Sequence, residues 1–197
     1  MTLIKKIELI AIGSSTGGVE ALAAILPKLR PPLPPIVIVQ HIPAGFSKMF
    51  ADRMNRESIL TVKEAEDSET IRQNWAYIAP GGIHMKLVKS GDDLKIKCFM
   101  APPVHSCRPA VDILFFSVAE LVGDAALGVI LTGIGHDGAA GLLEMRNQGA
   151  TTLGQDEASS AVYGMPKSAF ECGAVMRQVA LAGMPLTITA IANKNRC

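Results

Sequence analysis

The run Gly13-Ser14-Ser15-Thr16-Gly17-Gly18 is where residue types and spacing most invite chemistry. It satisfies G-x-S-x-G with Ser15 at its centre, the pattern of a nucleophile elbow, in which a sharp strand-to-helix turn lifts a serine hydroxyl off a sheet edge. Such a turn leaves little room for side chains, so glycines flank it. The hydroxyl then lies near the positive end of the following helix dipole. The backbone N–H of Thr16 is aimed where an oxyanion would form. The same small residues also suit a phosphate-binding loop or a simple helix cap. A Walker loop, however, would need lysine where Val19 stands, and G-x-G-x-x-G does not fit.

A nucleophilic serine needs a base, and the base needs an orienting acid. Four histidines are present: His41, His84, His105 and His136. His41 closes a strand pattern in Val39-Gln40-His41-Ile42-Pro43, as Ser15 closes the one before it. Neighbouring parallel strands would bring both to one carboxyl edge, where ligands bind in such folds. His84 follows a glycine turn and His105 lies in a loop; each is a surface residue or a substrate contact. Asp137 sits in Leu131-Thr132-Gly133-Ile134-Gly135-His136-Asp137-Gly138, again between a buried strand and a helix. There it orients the base or only caps the helix. The order Ser, His, Asp is not that of the α/β-hydrolases, but triads recur in several chain orders.

The remaining candidates are weaker. Cys98, Cys107, Cys172 and Cys197 form no C-x-x-C pair, and free thiols are expected. Cys107 stands two residues from His105, but nearness in sequence does not make a dyad. With no H-E-x-x-H and no clustered Cys and His, neither a metal nor another cofactor is expected.

Elements must hold these residues in place. Strand patterns are expected over 7–12 and 36–40, with helices over 17–29 and 46–56. Strand, helix, strand, helix is the mark of a parallel sheet covered by helices. Pro31, Pro32, Pro34 and Pro35 break the chain between the first helix and the second strand. The middle differs, with strands expected over 75–79, 83–88 and 94–98, the last two forming an antiparallel hairpin. A helix follows over 109–122, with Pro109 in its first turn, then a buried strand over 126–131. Helices over 138–147 and 185–192 complete the pattern, the second within a tail of short elements. The expected architecture is a single α/β domain over residues 1–197. Its sheet is doubly wound and mostly parallel, with helices on both faces and an antiparallel hairpin.

Several of these motifs occur together in a known family. Ile12-Gly13-Ser14-Ser15-Thr16-Gly17-Gly18, Gln40-His41-Ile42-Pro43-Ala44-Gly45-Phe46, Ala79-Pro80-Gly81-Gly82-Ile83-His84-Met85, Arg108-Pro109-Ala110-Val111-Asp112 and the 131–141 run through Gly141 resemble successive signatures of the chemotaxis methylesterases, CheB. Gln155-Asp156-Glu157-Ala158-Ser159-Ser160 and Tyr163-Gly164-Met165-Pro166 continue the resemblance across nearly the whole chain. The resemblance implies a Rossmann-like methylesterase fold with Ser15 as nucleophile, His41 as general base and Asp137 as orienter. It implies an oxyanion hole from the backbone of Thr16 and Ile134, with substrate contacts from His84, Arg108 and Met165. The implied reaction is hydrolysis of glutamate methyl esters on chemoreceptor cytoplasmic helices, with deamidation of some glutamines. Isoleucine at 134, where the family usually has methionine, should be tolerated if only the backbone acts. His136, often asparagine in the family, is expected to be a surface loop residue. The family's N-terminal receiver domain has no room before the first strand, so a stand-alone or excised catalytic domain with an open site is expected. The alternative is a catalytically silent adaptor of a chemosensory-type system.

Composition bounds the partners. Of the 197 residues 49% are hydrophobic and 19% charged, which excludes a disordered chain. A formal net charge of +1 gives no reason to expect nucleic acid. No apolar run approaches the roughly 18 residues of a membrane helix, and the N-terminus lacks a signal peptide. A cytoplasmic protein without membrane insertion is expected, meeting the methylated chemoreceptor cytoplasmic domain. Lys48, Arg53, Arg56 and Arg108 either meet an acidic helix bundle or form an ordinary solvated face.

Overall fold

The computed structural model describes residues 6–194. Its order is β1 (Leu9–Ser14), α1 (Gly18–Ile25), β2 (Ile36–Gln40), α2 (Phe46–Glu57), β3 (Thr61–Glu64), β4 (Trp75–Ile78), β5 (His84–Ser90), β6 (Asp93–Phe99), α3 (Val111–Leu121), β7 (Ala126–Ile130), α4 (Ala139–Asn147), β8 (Thr151–Gln155), α5 (Met165–Glu171), β9 (Arg177–Val179) and α6 (Met184–Asn193). Seven strands form one sheet in the order β3-β4-β2-β1-β7-β8-β9, every pair parallel.

The three central strands are buried along their whole length, as a sheet covered on both faces requires. Their side chains alternate between two cores. Ile10, Ile12, Ile36 and Ile38 pack with α1, α2 and α6. Leu9, Ala11, Val37 and Val39 pack with α3, α4 and α5. The strand order turns back between β1 and β7, because the chain fills one side first and then the other. Such a switch point opens a crevice at the carboxyl ends of the strands, and the loops after β1 and β7 border it.

The expected hairpin is present as β5 and β6, paired from His84↔Phe99 to Ser90↔Asp93 around a two-residue turn with Gly91 at φ +62°. Tight hairpins need that left-handed conformation. The strand expected near residue 75 is present as β4, in the main sheet beside an unforeseen β3. β3 reads Thr-Val-Lys-Glu, too short and polar to stand out, because an edge strand has only a partly covered face. The first helix stops at Ile25 and tightens into a 3-10 turn over Leu26–Lys28, where Pro27 lacks an N–H to continue it. The third helix starts at Val111 rather than Pro109. Among the described residues no helix is long and apolar enough to cross a membrane.

Candidate active site

Register alone brings Ser15 and His41 together. Ser14 lies opposite Gln40 in the β1–β2 ladder, so each candidate is the first residue beyond the pairing. The His41 N–H donates to the Ser14 carbonyl at 3.0 Å. Gln40 completes the stitching: its amide donates to the Ser15 and His41 carbonyls, both at 2.9 Å, and its carbonyl oxygen accepts from the Ser14 hydroxyl at 2.6 Å. Ser14 is thus spent inside the core, while Ser15 is half-buried at the edge.

Sterics explain the glycine at the elbow. Gly17 has φ +78°, and a Cβ there would lie 2.5 Å from that of Ala161. The neighbouring loop is held against the elbow by Ser15 N–H to the Thr132 carbonyl at 3.0 Å and Thr132 hydroxyl to the Thr16 carbonyl at 2.9 Å. Gly133 lies so close that a Cβ on it would sit 2.7 Å from the Ser15 Cβ. The next residue, Ile134, turns its side chain out, 65% exposed.

Asp137 reaches His41 across this crevice, Oδ2 to Nε2 at 2.8 Å. Its helix-cap role is real but falls elsewhere than on its own helix. The N-cap of α4 is Gly138, without a side-chain cap. Asp137 instead accepts the first N–H groups of α3, from Val111 at 2.7 Å and Asp112 at 2.9 Å. Asp112 returns the service, accepting from Gly141 in the first turn of α4 at 2.7 Å. Burial alone would push the Asp137 carboxyl up. The hydrogen bonds from His41, Asp112 and Val111 outweigh it and hold the group below the ordinary carboxylate value. Asp137 is therefore ionised at neutral pH and His41 carries a proton on Nε2, leaving Nδ1 with its lone pair.

That lone pair does not meet Ser15 among the described residues. His41 Nδ1 faces Cys107 Sγ at 3.4 Å, and the same sulfur lies 3.4 Å from the His105 carbonyl. Cys107 does adjoin a histidine, but across 66 positions rather than two. Burial, with Asp137 beside it, pushes its thiol up, so it is no ready nucleophile. Sequence offered no sign of this contact, which depends on a loop folding over β2. The thiols of Cys98, Cys107 and Cys172 are free; Cys197 lies outside the described residues. His136, exposed, bonds through Nε2 to His105 Nδ1 at 3.0 Å, and His105 Nε2 reaches Asp112 Oδ2 at 3.0 Å.

Two expected substrate contacts are corrected. His84 is 0% exposed; its Nδ1 accepts the Ala110 N–H at 3.2 Å and its Nε2 donates to the Pro102 carbonyl at 3.0 Å. It is a satisfied core histidine that ties the hairpin to the loop before α3. Met165 is also 0% exposed, with its sulfur against Gly133, where a Cβ would come within 2.3 Å of it. It packs against the loop behind Ser15. Arg108 is half-buried and donates to the Ala101 carbonyl at 3.0 Å. Lys48 and Arg53 pair with Asp52 and Glu57 one turn along α2, so less free positive charge faces a partner than the sequence suggests. Donor atoms of His41, Cys107 and Asp137, and of His105, Asp112 and Asp137, gather closely enough to hold a metal ion, although no local motif announced them.

Known proteins resemble this chain in sequence and fold. The family described as CheB methylesterase matches residues 10–188. The chain is 53% identical over 190 residues to protein-glutamate methylesterase/protein-glutamine glutaminase 1 of Caulobacter vibrioides, covering 96% of this chain and 55% of that protein. It is 51% identical over 175 residues to the protein-glutamate methylesterase/protein-glutamine glutaminase of Pectobacterium atrosepticum, covering 89% and 50%. The chain thus spans about half the length of the curated relatives it matches. The crystal structure of the Thermotoga maritima CheB methylesterase catalytic domain superposes with a TM-score of 0.91 at 36% identity, covering 95% of this chain and all of that one. By motif, fold and sequence identity, the chain belongs to the CheB methylesterase family.

Proposed function

We propose that the protein is a serine hydrolase that removes methyl groups from glutamate γ-esters on chemoreceptor cytoplasmic helices, and converts some glutamines to glutamate. The observation that carries this reading is the 2.8 Å bond from His41 to a buried Asp137, formed at the sheet edge where Ser15 follows β1. An ionised acid on one imidazole nitrogen makes the other a base. The names of the relatives supply the ester and amide substrates.

In this reading the Ser15 hydroxyl attacks the ester carbonyl and passes its proton to His41 Nδ1. The Cys107 thiol must first turn from Nδ1 to its second acceptor, the His105 carbonyl. A longer serine–histidine separation in the free enzyme is ordinary. The oxyanion takes the N–H groups of Thr16 and Ile134. Collapse expels methanol with the proton from Nδ1, and water, deprotonated by the same nitrogen, releases the glutamate. For glutamine the leaving group is ammonia. Arg108 follows Cys107, whose sulfur lies 3.4 Å from His41 Nδ1, and is the expected contact that meets substrate in this reading. A cytoplasmic setting follows from such a substrate.

An organophosphonate ester that phosphonylates nucleophilic serines tests this. Mass spectrometry should find the adduct on Ser15, and its formation should stop in His41→Gln. An adduct on Ser14 or Cys107 would overturn the assignment.

A further inference from the structure

The His41 lone pair, the acceptor on which the proposed hydrolysis rests, is turned towards sulfur rather than oxygen. The pair His41 Nδ1 and Cys107 Sγ is 3.4 Å apart. Zinc binds imidazole nitrogen at about 2.0–2.1 Å and thiolate at about 2.3 Å, so a tetrahedral ion sets such donors about 3.5 Å from each other. The observed spacing needs almost no adjustment.

The surroundings supply the rest. The opposite nitrogen of His41 donates to Asp137, the carboxylate–histidine–metal relation that orients metal-binding imidazoles and raises their basicity. Asp137 itself accepts from His41, Val111 and Asp112, so it acts from behind the imidazole rather than as a ligand. Cys107 is held by a tight turn. Val104 and Cys107 exchange backbone hydrogen bonds at 3.0 and 2.8 Å, with His105 at φ +50° and Ser106 at φ +62° between them. The turn therefore presents the sulfur to His41 without help from an ion. A soft sulfur with imidazole favours zinc and its neighbours over magnesium or calcium.

We propose that His41 Nδ1 and Cys107 Sγ form a transition-metal site that reversibly switches the esterase off. Zn²⁺ binds both donors and displaces the thiol proton to solvent, with water completing its coordination. The Nδ1 lone pair then belongs to the metal, and Ser15 has no base. The inference rests on His41 being that base, but the binding itself does not, so the two can be tested apart.

The probe is Co²⁺ added to the metal-free protein, displaced by Zn²⁺. One equivalent of cobalt should produce a thiolate-to-cobalt charge-transfer band. The band should persist when Cys98, Cys172 and Cys197 are all replaced by serine. It should vanish in Cys107→Ser, with binding at least tenfold weaker, and likewise in His41→Gln. Zn²⁺ should slow hydrolysis of a small neutral ester at least tenfold, reversed by a chelator. Each variant's rate is divided by its own rate in chelator, and by that ratio Cys107→Ser should be at least tenfold less sensitive. Absence of the band, its survival in Cys107→Ser, or equally tight binding there through the His105–His136 pair would overturn the site. A band without inhibition would overturn the switch. If no ester were hydrolysed at all, the spectra would still decide the metal site while the hydrolase reading failed.

Discussion

Asp137 accepts hydrogen bonds from His41 and from the first turn of α3, so its substitution acts on chemistry and on folding together. Asp137→Asn keeps the shape but reverses half of the hydrogen-bond polarity, favouring the wrong imidazole tautomer. Turnover should fall about 10⁴-fold, as in other triads, with about 1–3 kcal/mol lost where an α3 N–H then faces the amide NH2, both read by kinetics and urea melts. The pH dependence has a definite sign. The folded carboxyl lies below its unfolded value, so the stability it contributes is fully present above about pH 3.9. That stability is lost as pH falls through the lower folded value. The stability gap between the native protein and Asp137→Asn should therefore narrow as melts are taken to acid pH, and a gap that widened would contradict the assignment.

At the scale of elements, two loops are clamped to each other by small residues. Gly133 touches both Ser15 and Met165, and a Cβ there would lie 2.7 Å from one side chain and 2.3 Å from the other. Gly133→Ala should leave a folded protein by circular dichroism but slow ester hydrolysis at least tenfold, because Ser15 is displaced from its donors. Full activity in that variant would argue that the 131–138 loop plays no part. Much of this was legible in the residues. The buried central strands stand out because full burial forces continuous apolar runs. G-x-S-x-G marks the elbow because sterics leave few alternatives to glycine. What escaped the sequence lies where no local pattern exists. β3 is a polar edge strand, Cys107 meets His41 only through tertiary folding, and Asp137 caps the helix opposite rather than its own. His84 and Met165 looked like site residues because they stand in family motifs, yet both are motif members for packing.

For the whole molecule, the doubly wound sheet places the ends of β1, β2 and β7 side by side, and the proposed triad draws one residue from each. The surface around it carries less unspent positive charge than the sequence suggests, since Lys48 and Arg53 are paired on α2. Phe46, Met49 and Ile134 are exposed at this edge. Raising salt should therefore slow hydrolysis of a methylated receptor fragment no more than about twofold relative to a small neutral ester, since only unpaired charges steer association. A steep fall on the receptor alone would show that Arg56 and Arg108 steer docking after all. The central claim is that Ser15, served by His41 and Asp137, hydrolyses glutamate methyl esters. Its most direct test is methanol released from methylated receptor cytoplasmic fragments by the native protein and by Ser15→Ala. The account predicts release by the native protein and a loss on the order of a million-fold in the variant, with its fold unchanged. No methanol from the native protein, or undiminished release by Ser15→Ala, would contradict it.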